Sequence, residues 1–404
     1  MSVPLWLQQR LNAAGGSVSF RTYMDWALHD PDHGAYGAGR LRIGRTGDFV
    51  TAPALGPEFA ALLAPQLAQW LQQLEANRPL ALVEIGPGEG QLAGQLAEAL
   101  VAGWPQLAAR TELVLVEPNA GMAARQRQRL QHCPLPVRWR SFEQLAAAPV
   151  AGVVVAHEVL DALAVERIVS DGAAWRHQQV TLHQGALRLE PGAPLEPEAA
   201  ARLQPLGLAA PGAQRPAGWC SELHPGLEPW LAACGAALGH GRLLVIDYAL
   251  EAWRYYAPSR SEGTLMAYRE QRASGDPLLE PGAWDLTAHL CIDSLVAAAD
   301  ASGWQLLGQR RQGEALLALG LAQRLHGLQH PRGCDLPGNG SGRVDLADAL
   351  ARREALLRLV DPTALGDFRW LAFQRGEGES ESPAPSLFLQ DPDPTEVAAD
   401  AAAS

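Results

Sequence analysis

The chain has 404 residues, 48% of them hydrophobic, and its formal net charge is −12. This length allows one large α/β domain with a smaller appendage, and the negative charge argues against a nucleic-acid partner, which needs a basic face for its phosphates. All 32 basic residues are arginine, which excludes the chemistry of a P-loop lysine, a Schiff-base lysine or an S-x-x-K motif.

Targeting and cysteine patterns point to a reducing compartment. No apolar run approaches the roughly 20 residues of a membrane-spanning helix. The first 20 residues show neither a secretory nor a transit pattern, so we expect a chain that starts mature and is cytoplasmic. The five cysteines lack C-x-x-C spacing, which predicts neither a disulfide framework nor a zinc site.

Residues 1–75 are predicted to form an N-terminal helical cap that includes a glycine-rich loop, Arg45 to Pro53. Asp48 is the only carboxylate of this loop. It is either a catalytic residue or an Asx-turn residue that holds the loop. Before it, two histidines and two aspartates within residues 29–33 allow a metal site, although Asp-Pro and His-Gly pairs favour a turn.

The stretch from Ala81 to Val101 is predicted to fold as a strand, a tight turn and a helix. Three glycines in the turn permit positive φ and let the backbone approach a ligand, while the helix that follows presents free N–H groups. The candidate cofactor residues here are Glu84, Gly86, Pro87, Gly88 and Gly90.

A second strand, Leu113 to Val116, ends at Glu117 and Pro118, where a carboxylate suits a ribose diol. The dinucleotide fingerprint would require glycine at position 91, where this chain has Gln91, and the interval to Glu117 is too long for an NAD site. The spacing therefore favours S-adenosylmethionine (SAM) over NAD. A tight turn that binds nothing is the alternative.

The carboxyl ends of later strands carry further candidates. Glu158 and Asp161 follow the buried strand 152–156, and carboxylates there suit a cationic acceptor, although either one could instead cap the following helix. Asp247 and Tyr248 end strand 242–248 on the functional edge of the sheet, and the alternative for Asp247 is a hydrogen bond to a neighbouring loop. His289 is a candidate proton acceptor or a structural histidine.

The remaining pattern predicts the core at residues 76–375 with an insertion at about 165–220. Hairpins are expected over 165–189 and a mobile segment over 191–216. Further predicted elements are a strand at 137–140, helices at 221–238, 293–302, 313–328 and 344–359, and strands at 304–310 and 368–374. Residues 376–404 are acidic and poor in apolar residues, which predicts a disordered tail.

Seven segments stand in the order found in MidA-type SAM-dependent methyltransferases: DPDHG (30–34), IGRTGDFVTAP (43–53), EIGPGEG (84–90), HEVLDAL (157–163), IDY (246–248), GTLMAYR (263–269) and DLTAH (285–289). The resemblance covers nearly all of residues 18–376. It implies a class I methyltransferase fold, Rossmann-like, with a mostly parallel sheet, helices on both faces and a smaller cap subdomain. It also implies SAM as the cofactor and places the GDFVTAP loop beside it.

For mitochondrial members the resemblance implies symmetric dimethylation of a protein arginine, and hence a protein partner such as a respiratory-complex subunit. The sequence departs from the family at Ala54, His157, Ala164 and His177. Despite these departures, we predict a SAM-dependent methyltransferase that acts on protein arginine and uses no metal. The alternatives are a non-catalytic SAM-binding assembly factor and a nicotinamide oxidoreductase.

Overall fold

A computed structural model describes residues 3–44, 47–74, 79–329, 346–376 and 385–391. The chain divides into two compact units. Unit 1 comprises Met1–Phe49, Glu158–Ala232 and Asp247–Ser302, and unit 2 comprises Val50–His157, Ala233–Ile246 and Gly303–Ser404. This division differs from the predicted boundaries, because residues 50–75 belong with the core and unit 1 extends well beyond the predicted insertion.

Fourteen α-helices lie in the described part of the chain. They are α1 Leu5–Ala13, α2 Phe20–His29, α3 Glu58–Gln72, α4 Gln91–Gly103, α5 Pro105–Ala108, α6 Ala120–Arg129, α7 Phe142–Ala147, α8 Pro197–Arg202, α9 Leu227–Ala237, α10 Ala252–Tyr255, α11 Ile292–Ala301, α12 Gln312–Ala318, α13 Leu321–Gln329 and α14 Leu346–Leu359. Among the described residues, no helix is long and apolar enough to cross a membrane.

The described residues also form β-strands. They are β1 Ser17–Ser19, β2 Leu80–Ile85, β3 Thr111–Val116, β4 Val137–Trp139, β5 Val150–His157, β6 Glu166–Ser170, β7 Trp175–His183, β8 Ala186–Pro194, β9 Cys220–Leu223, β10 Leu238–Asp247, β11 Ala249–Leu250, β12 Met266–Arg269, β13 Arg272–Ser274, β14 Asp285–Thr287, β15 Leu290–Cys291, β16 Gln305–Arg311 and β17 Arg369–Arg375.

The sheet of unit 2 has seven strands in the order β16-β17-β10-β5-β2-β3-β4. The five strands from β10 to β4 run parallel to one another, whereas β16 and β17 pair with each other in antiparallel orientation. All six residues of β2 are buried, as expected for a strand covered on both faces. The predicted α/β fold with a mostly parallel sheet is confirmed.

Unit 1 contains a five-stranded sheet in which β1, β7, β6 and β9 are neighbours and β8 pairs with β7. The predicted hairpins are confirmed, with turns at Asp171-Gly172 and Gln184-Gly185. The mobile segment predicted over 191–216 is instead anchored. Trp175 Nε1 donates to Leu208 O at 3.1 Å, and Ser170 Oγ donates to Arg215 O at 3.0 Å.

Two predicted helices have different bounds. The helix expected over 221–238 is preceded by β9 and begins only at Leu227, after the turn-forming Pro225-Gly226 pair. The helix expected over 313–328 is divided into α12 and α13 at Gly320, whose φ of 93° a right-handed helix cannot contain.

Part of the predicted disordered tail is folded. Residues 385–391 contain a short 3₁₀ helix, Leu387–Leu389, and Phe388 is fully buried against Trp70 and Trp370. The backbone N–H of Phe388 donates to Gln66 Oε1 at 3.0 Å. The prediction is therefore wrong for these seven residues, and the segments 377–384 and 392–404 lie outside the described residues.

Candidate functional site

The turn after β2 has the geometry that its glycines predict. Gly86, Gly88 and Gly90 have φ values of 61°, 51° and 76°, a region that disfavours any other residue. Gly86 N–H donates to Val116 O at 3.1 Å, which ties the turn to the end of β3. Helix α4 begins directly after Gly90, so its first N–H groups lie beside the turn.

Glu84 is buried one residue before the end of β2, at 4% exposure. Burial raises the pKa of its carboxyl to about 8, while a hydrogen bond from the backbone of Ala93 acts in the opposite direction. Its Oε2 atom has no hydrogen-bond partner among the described residues. A buried polar atom without a partner at the base of a glycine turn suits a ligand that brings its own donor.

Glu117 follows β3 and is held by two hydrogen bonds. Asn119 N–H donates to Oε1 at 2.8 Å, and Gln126 Nε2 donates to Oε2 at 3.0 Å. Burial raises the pKa of Glu117, and these two bonds and Arg125 oppose that effect. Of the other predicted cofactor residues, Pro87 is buried and Pro118 is exposed.

Gln126 was not among the predicted site residues. Its Nε2 also donates to Gly88 O at 2.8 Å, so one side chain joins the glycine turn to Glu117. The signal in the sequence was weak: a glutamine occupies the same face of α6 as the buried Met122 and Ala123, where an apolar residue is expected.

Three aspartates, one after β5, one at the end of β10 and one in β14, are almost fully buried: Asp161 at 6%, Asp247 at 0% and Asp285 at 3%. Burial raises the pKa of Asp161 to about 7 and, with repulsion from Asp161, that of Asp285 to about 8. No arginine forms an ion pair with any of the three among the described residues. Tyr36 hydrogen-bonds to the Asp285 side chain, and Asp285 Oδ1 has no hydrogen-bond partner in the described part of the chain.

Asp247 holds backbone rather than facing a ligand. Its Oδ2 accepts hydrogen bonds from the N–H groups of residues 159–161 at 3.3, 3.0 and 3.2 Å, and its Oδ1 accepts from Tyr248 N–H at 2.9 Å. Burial and repulsion from Asp161 raise its pKa. The alternative that Asp247 bonds a neighbouring loop is therefore confirmed.

Glu158 and His289 lie near the aspartates. Glu158 has a φ of 54°, a backbone conformation that costs a residue with a Cβ about 1–3 kcal/mol. Burial raises the pKa of both Tyr36 and Tyr248, and the charge of Glu158 raises both pKa values further. The His289 ring lies 5.4 Å from that of Tyr248, centroid to centroid, and its backbone N–H donates to Thr264 Oγ1 at 3.1 Å.

Both carboxylate oxygens of Asp48 accept hydrogen bonds from backbone N–H groups. Arg42 N–H donates to its Oδ2 at 2.9 Å and Glu270 N–H donates to its Oδ1 at 3.1 Å. These contacts support the loop-holding alternative for Asp48 over a catalytic role.

The family model of S-adenosyl-L-methionine-dependent methyltransferases matches residues 62–310, which include the glycine turn, Glu117 and the buried aspartates. The chain belongs to this family. It is a SAM-dependent methyltransferase of α/β fold, and the resemblance to MidA-type methyltransferases is confirmed.

Relatives and solved structures agree. The chain is 26% identical over 344 residues to a Drosophila melanogaster protein named as the mitochondrial protein arginine methyltransferase NDUFAF7 homolog, covering 77% of this chain and 75% of that one. A structure from Burkholderia thailandensis bound to S-adenosyl-homocysteine is 30% identical with a TM-score of 0.80, covering 97% of this chain and 95% of that one. A second structure from that organism is 29% identical with a TM-score of 0.75 and the same coverage.

The four residues that depart from the family pattern lie in different surroundings. His157 is buried between Phe59 and Phe368, with ring centroids at 5.1 and 6.5 Å, and burial lowers its pKa to about 3. His177 Nδ1 lies 3.2 Å from Glu166 Oε1. Ala54 lies in a short 3₁₀ helix, and Ala164 packs against the core of unit 1.

The possible metal ligands at the start of the methyltransferase are Asp30, Asp32 and His33, whose ligand atoms lie within 4.8 Å of one another. Asp30 Oδ1 accepts the N–H groups of Asp32 at 3.1 Å and His33 at 2.8 Å, and Oδ2 pairs with Arg10. These are the contacts of a turn, as the turn interpretation predicts.

Proposed function

We propose that this methyltransferase transfers the methyl group of SAM to an arginine side chain of a protein. The observation that carries the proposal is the pair of buried aspartates, Asp161 and Asp285, that form no ion pair among the described residues. The name of the Drosophila relative, a protein arginine methyltransferase, supports the same acceptor.

The residues of the glycine turn fit the cofactor. Gly86, Gly88 and Gly90 would bring the backbone against it, and Glu117 would accept hydrogen bonds from the ribose hydroxyls. The protonated Glu84 carboxyl would offer its unpartnered atom to the same ligand. Bound there, SAM supplies an electrophilic methyl group on a sulfonium.

The aspartates suit a guanidinium in both charge and shape. A guanidinium presents parallel N–H donors that a carboxylate accepts bidentately. Its positive charge would lower the raised pKa of Asp161 and Asp285, so both would ionise as the acceptor enters. The buried carboxylates would then hold a cation that water no longer solvates.

Glu158 would orient the guanidinium nitrogen that accepts the methyl group. Transfer would replace the C–S bond of SAM by an N–C bond and leave the methylated nitrogen with one proton to lose. Asp161 or His289 would accept that proton, since Glu158 and Asp161 both interact electrostatically with Tyr248 and the His289 ring lies 5.4 Å from the Tyr248 ring.

A respiratory-complex subunit as the protein substrate stays a prediction. A cytoplasmic location also stays a prediction, since the curated relatives are named as mitochondrial proteins.

Methyl labelling tests the proposed acceptor. The purified protein is incubated with methyl-labelled SAM and an extract of its own host, and labelled peptides are identified by mass spectrometry. The expected result is label on arginine, absent from the same reaction with Gly88→Val. Label on another residue type would overturn the arginine assignment, and SAM binding without any labelled peptide would favour the non-catalytic assembly factor.

A further inference from the structure

Gln126 lies on α6 with no solvent exposure and makes three polar contacts. Its Nε2 donates to Gly88 O at 2.8 Å and to Glu117 Oε2 at 3.0 Å, and its Oε1 accepts from Trp139 Nε1 at 2.9 Å. These partners lie just beyond the ends of β2 and β3 and at the last residue of β4, three neighbouring parallel strands. One buried amide thus spans the carboxyl ends of three strands.

The contacts fix which way the amide points. An indole N–H can only donate, so Trp139 must face the amide oxygen. The two hydrogens of Nε2 are then used by two acceptors, the Gly88 carbonyl and the Glu117 carboxylate. Flipping the amide would set a donor against the indole N–H and leave both acceptors without hydrogen bonds.

We propose that Gln126 is a positioning residue of the cofactor site, which sets the glycine turn and Glu117 in the relative position that the nucleoside requires. The inference rests on the proposed contact of Glu117 with ribose. Asn119 N–H holds Glu117 Oε1 and Gln126 holds Oε2, so the carboxylate cannot rotate about its own axis. Removing the amide would free one side of that carboxylate and the turn carbonyl together.

Gln126 also affects the protonation of Glu117. A donor on a buried carboxylate stabilises its ionised form, and Gln126 and the backbone of Asn119 both act this way. Arg125 also lowers the pKa of Glu117, and its Nε lies 3.3 Å from Glu89 Oε1. Because the ribose hydroxyls need an acceptor, loss of the amide should confine tight binding to higher pH.

The test compares two buried glutamines of the same unit. Gln312 also has no exposure, donates from Nε2 to Leu359 O at 3.1 Å and accepts from Trp370 Nε1 at 3.3 Å, but it contacts neither the turn nor Glu117. Gln126→Leu and Gln312→Leu therefore remove similar contacts from a backbone carbonyl and an indole. The dissociation constant of S-adenosyl-homocysteine is measured by calorimetry across a pH series, with thermal unfolding of each variant.

Gln126→Leu should weaken S-adenosyl-homocysteine binding about tenfold or more, the scale of a hydrogen bond to a charged group, and its affinity should recover as pH rises. Gln312→Leu should lower the melting temperature without either effect. Equal affinities and equal pH profiles for the two variants would overturn the proposal.

Two further variants keep the outcomes distinct. If Gln126→Leu does not fold, Gln126→Met serves instead, because the thioether keeps the length of the side chain and has no hydrogen to donate. Glu117→Gln tests the ribose contact alone. If Glu117→Gln binds S-adenosyl-homocysteine as tightly as wild type, Glu117 does not contact the ribose. If Glu117→Gln binds it more weakly but Gln126→Leu binds it normally, only the positioning role of Gln126 is rejected.

Discussion

Asp247 Oδ2 accepts a hydrogen bond from the backbone N–H of Leu160 at 3.0 Å, and the same oxygen accepts the N–H groups on either side of it. A fully buried carboxylate at the end of β10 therefore holds the segment that directly follows β5. That segment begins with Glu158, whose positive φ needs such support. The placement of Glu158 and Asp161 thus depends on a third acidic residue.

Asp247→Asn should destabilise the protein. The amide keeps one oxygen, so either residues 159–161 or Tyr248 lose their acceptor, and the free energy of unfolding should fall by about 1–3 kcal/mol. Urea denaturation measures this change. Asp171→Asn is the control, since Asp171 also accepts two backbone N–H groups but at an exposed turn. Equal losses in both variants would contradict a special role for Asp247.

Glu84 should make stability depend on pH. Its pKa is about 8 in the folded protein, against an ordinary 4.5, so folding favours the protonated carboxyl. The contribution of Glu84 to the free energy of unfolding is fully present below the ordinary pKa and falls progressively as the pH rises to about 8. Above that pH it no longer changes. Without cofactor, Glu84→Gln should gain stability relative to wild type by about 1.4 kcal/mol per pH unit across that window. Denaturant titrations at both ends measure this difference, and a difference independent of pH would show that Glu84 is ionised in the fold.

Local sequence predicted the strands of the core but not their order. The apolar runs 113–116 and 152–156 lie inside β3 and β5 because unbroken apolar segments between turn residues suit buried parallel strands. Strand β10 pairs with β5 along Leu238 to Ile246, roughly ninety residues further along the chain. No local pattern encodes that pairing, which was not predicted from the sequence.

The site shows the same limit. Glu117 and the glycine turn could be predicted from the sequence, because each directly follows an apolar run that marks a strand. Gln126 could not, since its role depends on partners from three different strands. The tail prediction used the mean composition of residues 376–404, which hides the short apolar run at Leu387–Leu389.

Phe388→Ala should therefore destabilise the protein although it lies near the end of the chain. The ring is fully buried, with centroids 6.2 Å from Trp70 and 5.7 Å from Trp370, and truncating a buried phenylalanine costs about 3–5 kcal/mol. Chemical denaturation measures the loss. Leu387→Ala, at a partly exposed neighbour, should cost clearly less, and equal costs would show that the segment is not docked as described.

Glu158→Gln bears on the acceptor directly. The substitution keeps the size and the backbone of the residue but removes its charge. If Glu158 orients a cationic acceptor, the methyl-transfer rate should fall more than about tenfold while the dissociation constant of SAM changes less than about twofold, the pattern of an interaction made to the acceptor and not to the cofactor. Both quantities are measured on the same preparation, with the labelled substrate identified from host extract.

Glu270→Gln is the matched control for that change. Glu270 is also a glutamate at positive φ, 49°, but its side chain is 67% exposed and its Oε1 lies 3.7 Å from Arg269 Nε. Its variant should keep the wild-type rate. A loss of SAM affinity in Glu158→Gln equal to its loss of rate would make Glu158 a cofactor ligand or a structural residue. A wild-type rate in Glu158→Gln would show that the charge of Glu158 plays no part in methyl transfer.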